Sequence, residues 1–234
     1  MDSKVILTID DIPQGITVKM IDYLAEKNIP SVMFAVGENI EKDMDTVVYA
    51  IKKGIIIGNH SYNHPAFSSL SFEECKTEIE KTEVLLEKAY FLAGVPREVK
   101  VFRFPYIDKG SDKKEKLQDY LRERGFMKID DTAVTAVDYH KAGHDRDIDA
   151  ACSFDIREYN IPPGTMSFED VMTHLYEGDG ENGADIMNRD GTNIVLLHSH
   201  DDTEKIVPGY YSKVLDAMLK REIQFIKPNW IKFS

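Results

Sequence analysis

The sequence predicts an α/β fold assembled from parallel βαβ units, and three observations carry that prediction. Short apolar runs alternate with helical patterns from one end of the 234-residue chain to the other. About seven such runs occur, most of them bounded by turn or cap residues. Four of them end in ionisable or metal-binding side chains, as parallel strands do when their C-terminal ends build one face. A closed barrel and an open doubly wound sheet both satisfy this pattern.

The elements follow in order. "VILTI" at residues 5 to 9 reads as the first strand, and Ile16, Met20, Ile21 and Leu24 then fall on one face of a helix. "SVMFAV" at 31 to 36 is a second strand, followed by the helix "DTVVYAIKKG" with Gly54 placed as its stop. "IIIG" at 55 to 58 leads through a loop to "SFEECKTEIEKTEVLLEKAYFLAG", where Ser71 and Glu74 have capping-box spacing and Gly94 lies past the end. The runs "VKVFRF" at 99 to 104, "AVTAV" at 133 to 137, "IVLLH" at 194 to 198 and a closing "IQFI" supply the remaining strands. Helices are expected over 111 to 125 and near 210 to 221. Residues 141 to 193 break the rhythm: they are rich in Asp, Gly and Asn and hold a single helical pattern, "SFEDVMTHLYEG". Irregular segments of that length in a compact domain are usually functional. No linker or repeat divides the chain, so residues 1–234 read as one domain.

Composition narrows the partners. With 42% hydrophobic and 30% charged residues this is a globular sequence. Its net charge of −12 argues against nucleic acid and against anionic membrane surfaces, and favours a neutral, zwitterionic or cationic substrate. Cys75 and Cys152 have neither metal spacing nor a redox pattern and read as packed thiols. No apolar run approaches the ~20 residues that cross a bilayer, and no basic segment with a long apolar region precedes the first strand. The expectation is a cytoplasmic protein, although a chain trimmed of its leader would read the same way. Nothing in the pattern specifies an oligomeric state.

The chemistry gathers at strand ends. Asp10 and Asp11 close the first strand, His60 the third, Arg103 the fourth and His198 the "IVLL" run. In "HSYNH", His60 and His64 have an i, i+4 spacing that puts both imidazoles on one face of a helical turn, where they can grip one ion. Asp10 or Asp11 could complete the three protein ligands of a catalytic Zn²⁺ site. Successive strand residues point to opposite sides, which suggests different tasks for the two aspartates. His140 and His144 repeat the spacing across a helix-weakening Gly and read as a solvated loop pair. His174 reads as a surface or packing residue and His200 as a bystander to His198.

Taken together these motifs resemble the polysaccharide deacetylase family. "TIDDI" at 8 to 12 is similar to the family's Thr-Phe-Asp-Asp-Gly, "HSYNH" to its His-Ser/Thr-x-x-His, "RFPY" at 103 to 106 to its Arg-x-Pro-Phe/Tyr, and "LLH" at 196 to 198 to its Leu-x-His. "SVMFAVG" looks like the family's "ATFFVxG" segment. The resemblance implies a distorted (β/α)7-type barrel and a hydrolase that removes acetyl groups from an N-acetylated sugar. It implies a divalent metal, Zn²⁺ first and Co²⁺, Ni²⁺ or Fe²⁺ as alternatives, held by Asp11, His60 and His64. Asp10 would be the base, Arg103 its partner, His198 the proton donor, and the backbone N–H of Tyr106 the oxyanion donor. Asp138 is the candidate for the fourth-motif Asp that keeps His198 charged, with Asp130 or Asp131 as alternatives. Leu196, Tyr139 and Tyr106 would shape a pocket for a methyl group. The family also contains O-acetyl ester hydrolases and allantoinase-like cyclic amide hydrolases, and a silent carbohydrate-binding relative is a further alternative. Ile9 and Ile12 depart from the first motif's Phe and Gly, Tyr139 stands in place of a Trp, and the Gly that often follows the third motif is missing.

Overall fold

Strand β1 (Ser3–Ile12) forms the middle of the fold, and residues 3–178 and 184–233 are described in a computed structural model. Val5, Leu7 and Ile9 are fully buried, and so are most of the residues between them. That continuous burial belongs to a parallel strand covered on both sides. Helix α1 (Thr17–Lys27) buries Met20, Ile21 and Leu24, the face expected from their spacing, and ends at left-handed Asn28. β2 (Ser31–Ala35) is buried throughout. The short helix α2 (Gly37–Lys42) was not anticipated by the pattern; α3 (Met44–Lys52) follows, its N-cap Asp43 accepting the Thr46 N–H and Gly54 lying past its end in a left-handed conformation. β3 (Ile56–Asn59) leads to the 22-residue α4 (Phe72–Ala93), where Ser71 and Glu74 form the predicted capping box.

The second half is less regular. α5 (Lys114–Glu123), β4 (Lys128–Ile129), α6 (Val137–Lys141), β5 (Phe154–Asp155) and α7 (Phe168–Glu177) precede the long β6 (Gly191–His198). α8 (Asp201–Ile206), α9 (Tyr210–Lys220), β7 (Gln224–Phe225) and β8 (Trp230–Ile231) close the chain.

The main sheet runs β3-β2-β1-β6-β5, all parallel, with β7 on the early part of β1. Its two edges approach one another. Asn59 at the end of β3 pairs with Phe102, the Ala150 N–H donates to the Phe102 carbonyl at 2.8 Å, and a few residues later β5 pairs with β6. The pairing therefore runs around a ring, which is the curl of a distorted barrel and not an open sheet. Two expected strands shrink to single bridges. Among the described residues, 99–104 make one ladder pair with the sheet, Phe102 with Asn59, and 133–137 one, Val134 with Thr192; a turn from Asp131 precedes Val134 and α6 begins at Val137. β4 and β8 instead pair with each other, antiparallel. A second apolar cluster, with Phe67, Phe102, Phe104 and Leu117, packs α4 and α5 beside the barrel.

Candidate active site

The C-terminal ends of β1, β3 and β6 meet at one cavity of about 430 Å³. A larger cavity of about 790 Å³ opens at the other ends of the strands, beside Ser31 and Ile56. Parallel barrels build chemistry at the C-terminal face, and the side chains here agree.

At the end of β1 the strand alternation fails. Its register with β2 shifts between Ile9 and Ile12, and Asp11 is left-handed at φ 68. This bulge brings two adjacent carboxylates to the same side. Asp10 Oδ2 lies 3.5 Å and Asp11 Oδ1 3.6 Å from His60 Nε2, so the expectation of opposite sides is corrected.

His60 and His64 also converge, though not on a helical turn. Ser61 and His64 both have positive φ, and side chains satisfy the loop's backbone: Glu78 Oε2 accepts the N–H groups of Tyr62 and Asn63, and Asn59 Oδ1 accepts that of Ser61. The spacing therefore found the pair for the wrong local reason. His60 Nδ1 lies 2.9 Å from the Arg103 carbonyl. A carbonyl can only accept, so Nδ1 carries the proton and the Nε2 lone pair faces the carboxylates. Burial lowers the pKa of His60 to about 3, which keeps the ring neutral and able to bind a metal.

Asp11 Oδ1 is buried and has no hydrogen-bond partner among the described residues, yet it sits 3.3 Å from His64 Nε2. One donor atom each from Asp11, His60 and His64 lies within 4.8 Å of the others. A carboxylate and two imidazoles around an orphaned oxygen fit a divalent cation of the zinc type with coordination positions to spare.

Arg103 is fully buried beside this set. Its Nη1 donates to Asp10 Oδ1 at 2.8 Å and to Thr8 Oγ1 at 2.9 Å, its Nε to the Ala150 carbonyl, and its guanidinium lies 4.5 Å from the centre of the Phe34 ring. Asp10 is only 3% exposed, and this cation holds its carboxylate in place.

His198 faces the set from β6, but its partner is none of the residues expected from the sequence. Asp138 lies on α6 and binds Lys141; Asp131 binds Lys128 and the Tyr139 hydroxyl; Asp130 caps Thr132. Glu158, fully buried in the turn after β5, meets His198 Nδ1 at 3.0 Å. Burial opposes a charge on His198, but the Glu158 carboxylate outweighs it and, with Asp11 and Asp155, raises the pKa to about 10. Tyr159, not Tyr139, packs on the imidazole, with ring centres 4.8 Å apart. Tyr139 is displaced because its hydroxyl is committed to Asp131. Glu158 and Tyr159 went unread because "REY" follows no recognisable strand; its signal was its place inside the long irregular segment.

Leu196 lines the cavity as expected, and Tyr106 stands at its mouth, largely exposed and left-handed, its ring against His64. His200 lines the cavity too while its Nδ1 meets Thr203, so it is nearer the site than a bystander. His174 packs on Phe154 as expected, and His140 is tied to Val134 and Asp145 away from the cavity.

The fold is an α/β barrel whose cavity carries a carboxylate–diimidazole set able to hold a divalent cation, an aspartate–arginine pair and an imidazole–carboxylate pair. The family model "Polysaccharide deacetylase" matches residues 1–125, and the chain belongs to that family. It is 37% identical over 105 residues, 44% of its length, to a peptidoglycan-N-acetylglucosamine deacetylase of Bacillus cereus, of which 36% is covered. It is 26% identical to chitin deacetylase 1 of Cryptococcus neoformans, covering 71% of this chain and 33% of that one. The chain thus spans about a third of the length of these curated relatives. Among solved structures, the chitin deacetylase of Colletotrichum lindemuthianum matches 97% of this chain and 86% of its own with a TM-score of 0.63 at 20% identity. A family pseudoenzyme also matches, with a TM-score of 0.56 at 17% identity, covering 92% of this chain and 63% of its own. These likenesses establish the distorted barrel. Among the described residues, no helix is long and apolar enough to cross a membrane.

Proposed function

We propose that this chain is a metal-dependent hydrolase that removes the acetyl group from an N-acetylated sugar, with residues 1–234 acting as one catalytic unit. The observation that carries this reading is a pairing within one cavity: Asp10, an ion-paired carboxylate able to accept a proton, stands in register on the neighbouring strand with His198, an imidazolium able to give one, and both line the same space. The family's relatives named for peptidoglycan and chitin support the substrate class.

In this mechanism Asp11, His60 and His64 hold a divalent cation, Zn²⁺ by preference, and Co²⁺, Ni²⁺ or Fe²⁺ suit the same donors. Bound there, such a cation would supply Lewis acidity for the acetyl carbonyl and for a water, whose pKa it would lower from ~16 towards ~7. Asp10, oriented by Arg103, takes the proton from the attacking water. The backbone N–H of Tyr106 donates to the developing oxyanion. His198 protonates the departing amine, with its charge maintained by Glu158. Leu196 provides an apolar wall for the methyl group and Tyr159 packs the donor imidazole in place.

The test is acetate release by the metal-loaded chain from N-acetylglucosamine oligomers, compared with acetylated xylan and with ring opening of allantoin. Release from the N-acetyl sugars alone is expected. Turnover by metal-loaded Asp10→Asn equal to wild type would refute the mechanism.

A further inference from the structure

The second cluster of metal-binding groups in the fold includes the proton donor itself. One donor atom each from Asp155, Glu158 and His198 lies within 4.8 Å of the other two, and all three come from the irregular region and the end of β6. We propose that Asp155, Glu158 and His198 form a second, weaker divalent-cation site whose occupation takes the proton donor out of service.

Three features of the side chains support it. Glu158 is fully buried and uses Oε1 for both the backbone N–H and the Nδ1 of His198, while its Oε2 has no hydrogen-bond partner among the described residues. A buried carboxylate oxygen without a partner is costly unless something shares it. Asp155 is held as metal-binding carboxylates are held, by hydrogen bonds from outside: the Arg157 N–H donates to its Oδ1 at 2.9 Å and the Tyr159 hydroxyl to its Oδ2 at 3.0 Å. Two carboxylates and one imidazole are donors that first-row divalent ions accept, and their summed charge suits a dication.

Geometry also sets the order of filling. At the first site Asp11 Oδ1 gives up no hydrogen bond on binding. At the second, a cation taking His198 Nδ1 must break its hydrogen bond to Glu158 and expel the proton held there. The first site therefore fills before the second. Once the second fills, His198 no longer offers an imidazolium to the departing amine. The inhibition rests on the role proposed above for His198; the binding does not.

Equilibrium dialysis of the full chain against Co²⁺, with bound ion counted per chain, tests the site directly. Wild type is expected to bind a tight equivalent and then a second, weaker one. Asp155→Asn and Glu158→Gln keep the first and weaken the second by about tenfold or more, whereas Asp11→Asn weakens the first and retains the second. Two variants guard against a folding defect, since Asp155 is only partly buried and each is checked by its melting transition. Acetyl-sugar turnover in wild type should rise with the first equivalent and fall to about a hundredth as the second fills. A single equivalent at saturation in wild type, or a second one that survives both Asp155→Asn and Glu158→Gln, overturns the proposal. If no acetyl sugar is hydrolysed at all, the functional reading fails while the ion count still decides the second site.

Discussion

The two sides of the cavity are built in different ways. The side with Asp10, Asp11, His60 and Arg103 hangs from the ends of β1 and β3 and the residue next to the Phe102 bridge, where parallel pairing holds the backbone up to Asp10 and Asn59 and a bulge turns Asp11 inward. The side with Asp155, Glu158 and Tyr159 follows a two-residue strand. There the chain is held by side chains on backbone: Ser153 Oγ with Ile194, His174 Nε2 donating to the Asp155 carbonyl, and Gln118 with the Ile148 N–H and the Asp149 carboxylate. Register carries the first side, and a set of individual polar contacts carries the second. Pairing tolerates the loss of one side chain better than such a set does.

The largest expected effect breaks the proposed metal-binding side alone. Asp11→Asn should weaken metal retention by about a hundredfold or more and take turnover with it, whereas Asp10→Asn should keep the ion and lower kcat by about 10²–10⁴. Metal analysis beside acetate release separates the two, and equal metal content in both variants would sink the division of labour. Next comes Glu158→Gln on the opposite side. The wild-type donor is protonated below its pKa of about 10, so activity should fall as pH rises through that value. Without the carboxylate the alkaline limb should move down towards the ordinary 6.5, and an unmoved limb in the pH–rate profile would show that Glu158 does not hold the proton. A smaller effect sharpens the contrast in construction. Gln118→Leu leaves the Ile148 N–H and an Asp149 oxygen without their partner and should cost about 1–3 kcal/mol in urea unfolding, although Gln118 does not line the cavity. Smallest of all is Asp138→Asn, which removes only an exposed pair with Lys141 and should change stability by less than about 0.5 kcal/mol and turnover not measurably.

The same contrast explains what could be read from the chain. Asp10, Asp11, His60, Arg103 and His198 each end a strand or apolar run, and an apolar run marks its own end in sequence. The α4 capping box and the buried face of α1 were legible because helix periodicity and caps are local. Glu158 was not legible, because its importance comes from a contact 40 positions away and its neighbours carry no periodicity. Asp138 was the candidate for the fourth motif on the resemblance, but the run before it becomes one bridge and a helix start, which carries it away from His198. The bulge at Asp11 was also hidden: "TIDDI" gives no Gly to announce a positive φ.

Arg103 joins the proposed base to a proposed metal ligand through two different parts of one residue. Its guanidinium serves Asp10, and its main-chain oxygen aligns His60. Any amino acid can supply that oxygen, whereas the guanidinium that reaches Asp10, Thr8 and the Ala150 carbonyl together is particular to arginine. On the proposed mechanism, one replacement at this position would leave the cation's ligands in place and remove the partner of the proton acceptor. Inactive members of such a family can therefore arise without any erosion of the metal-binding residues.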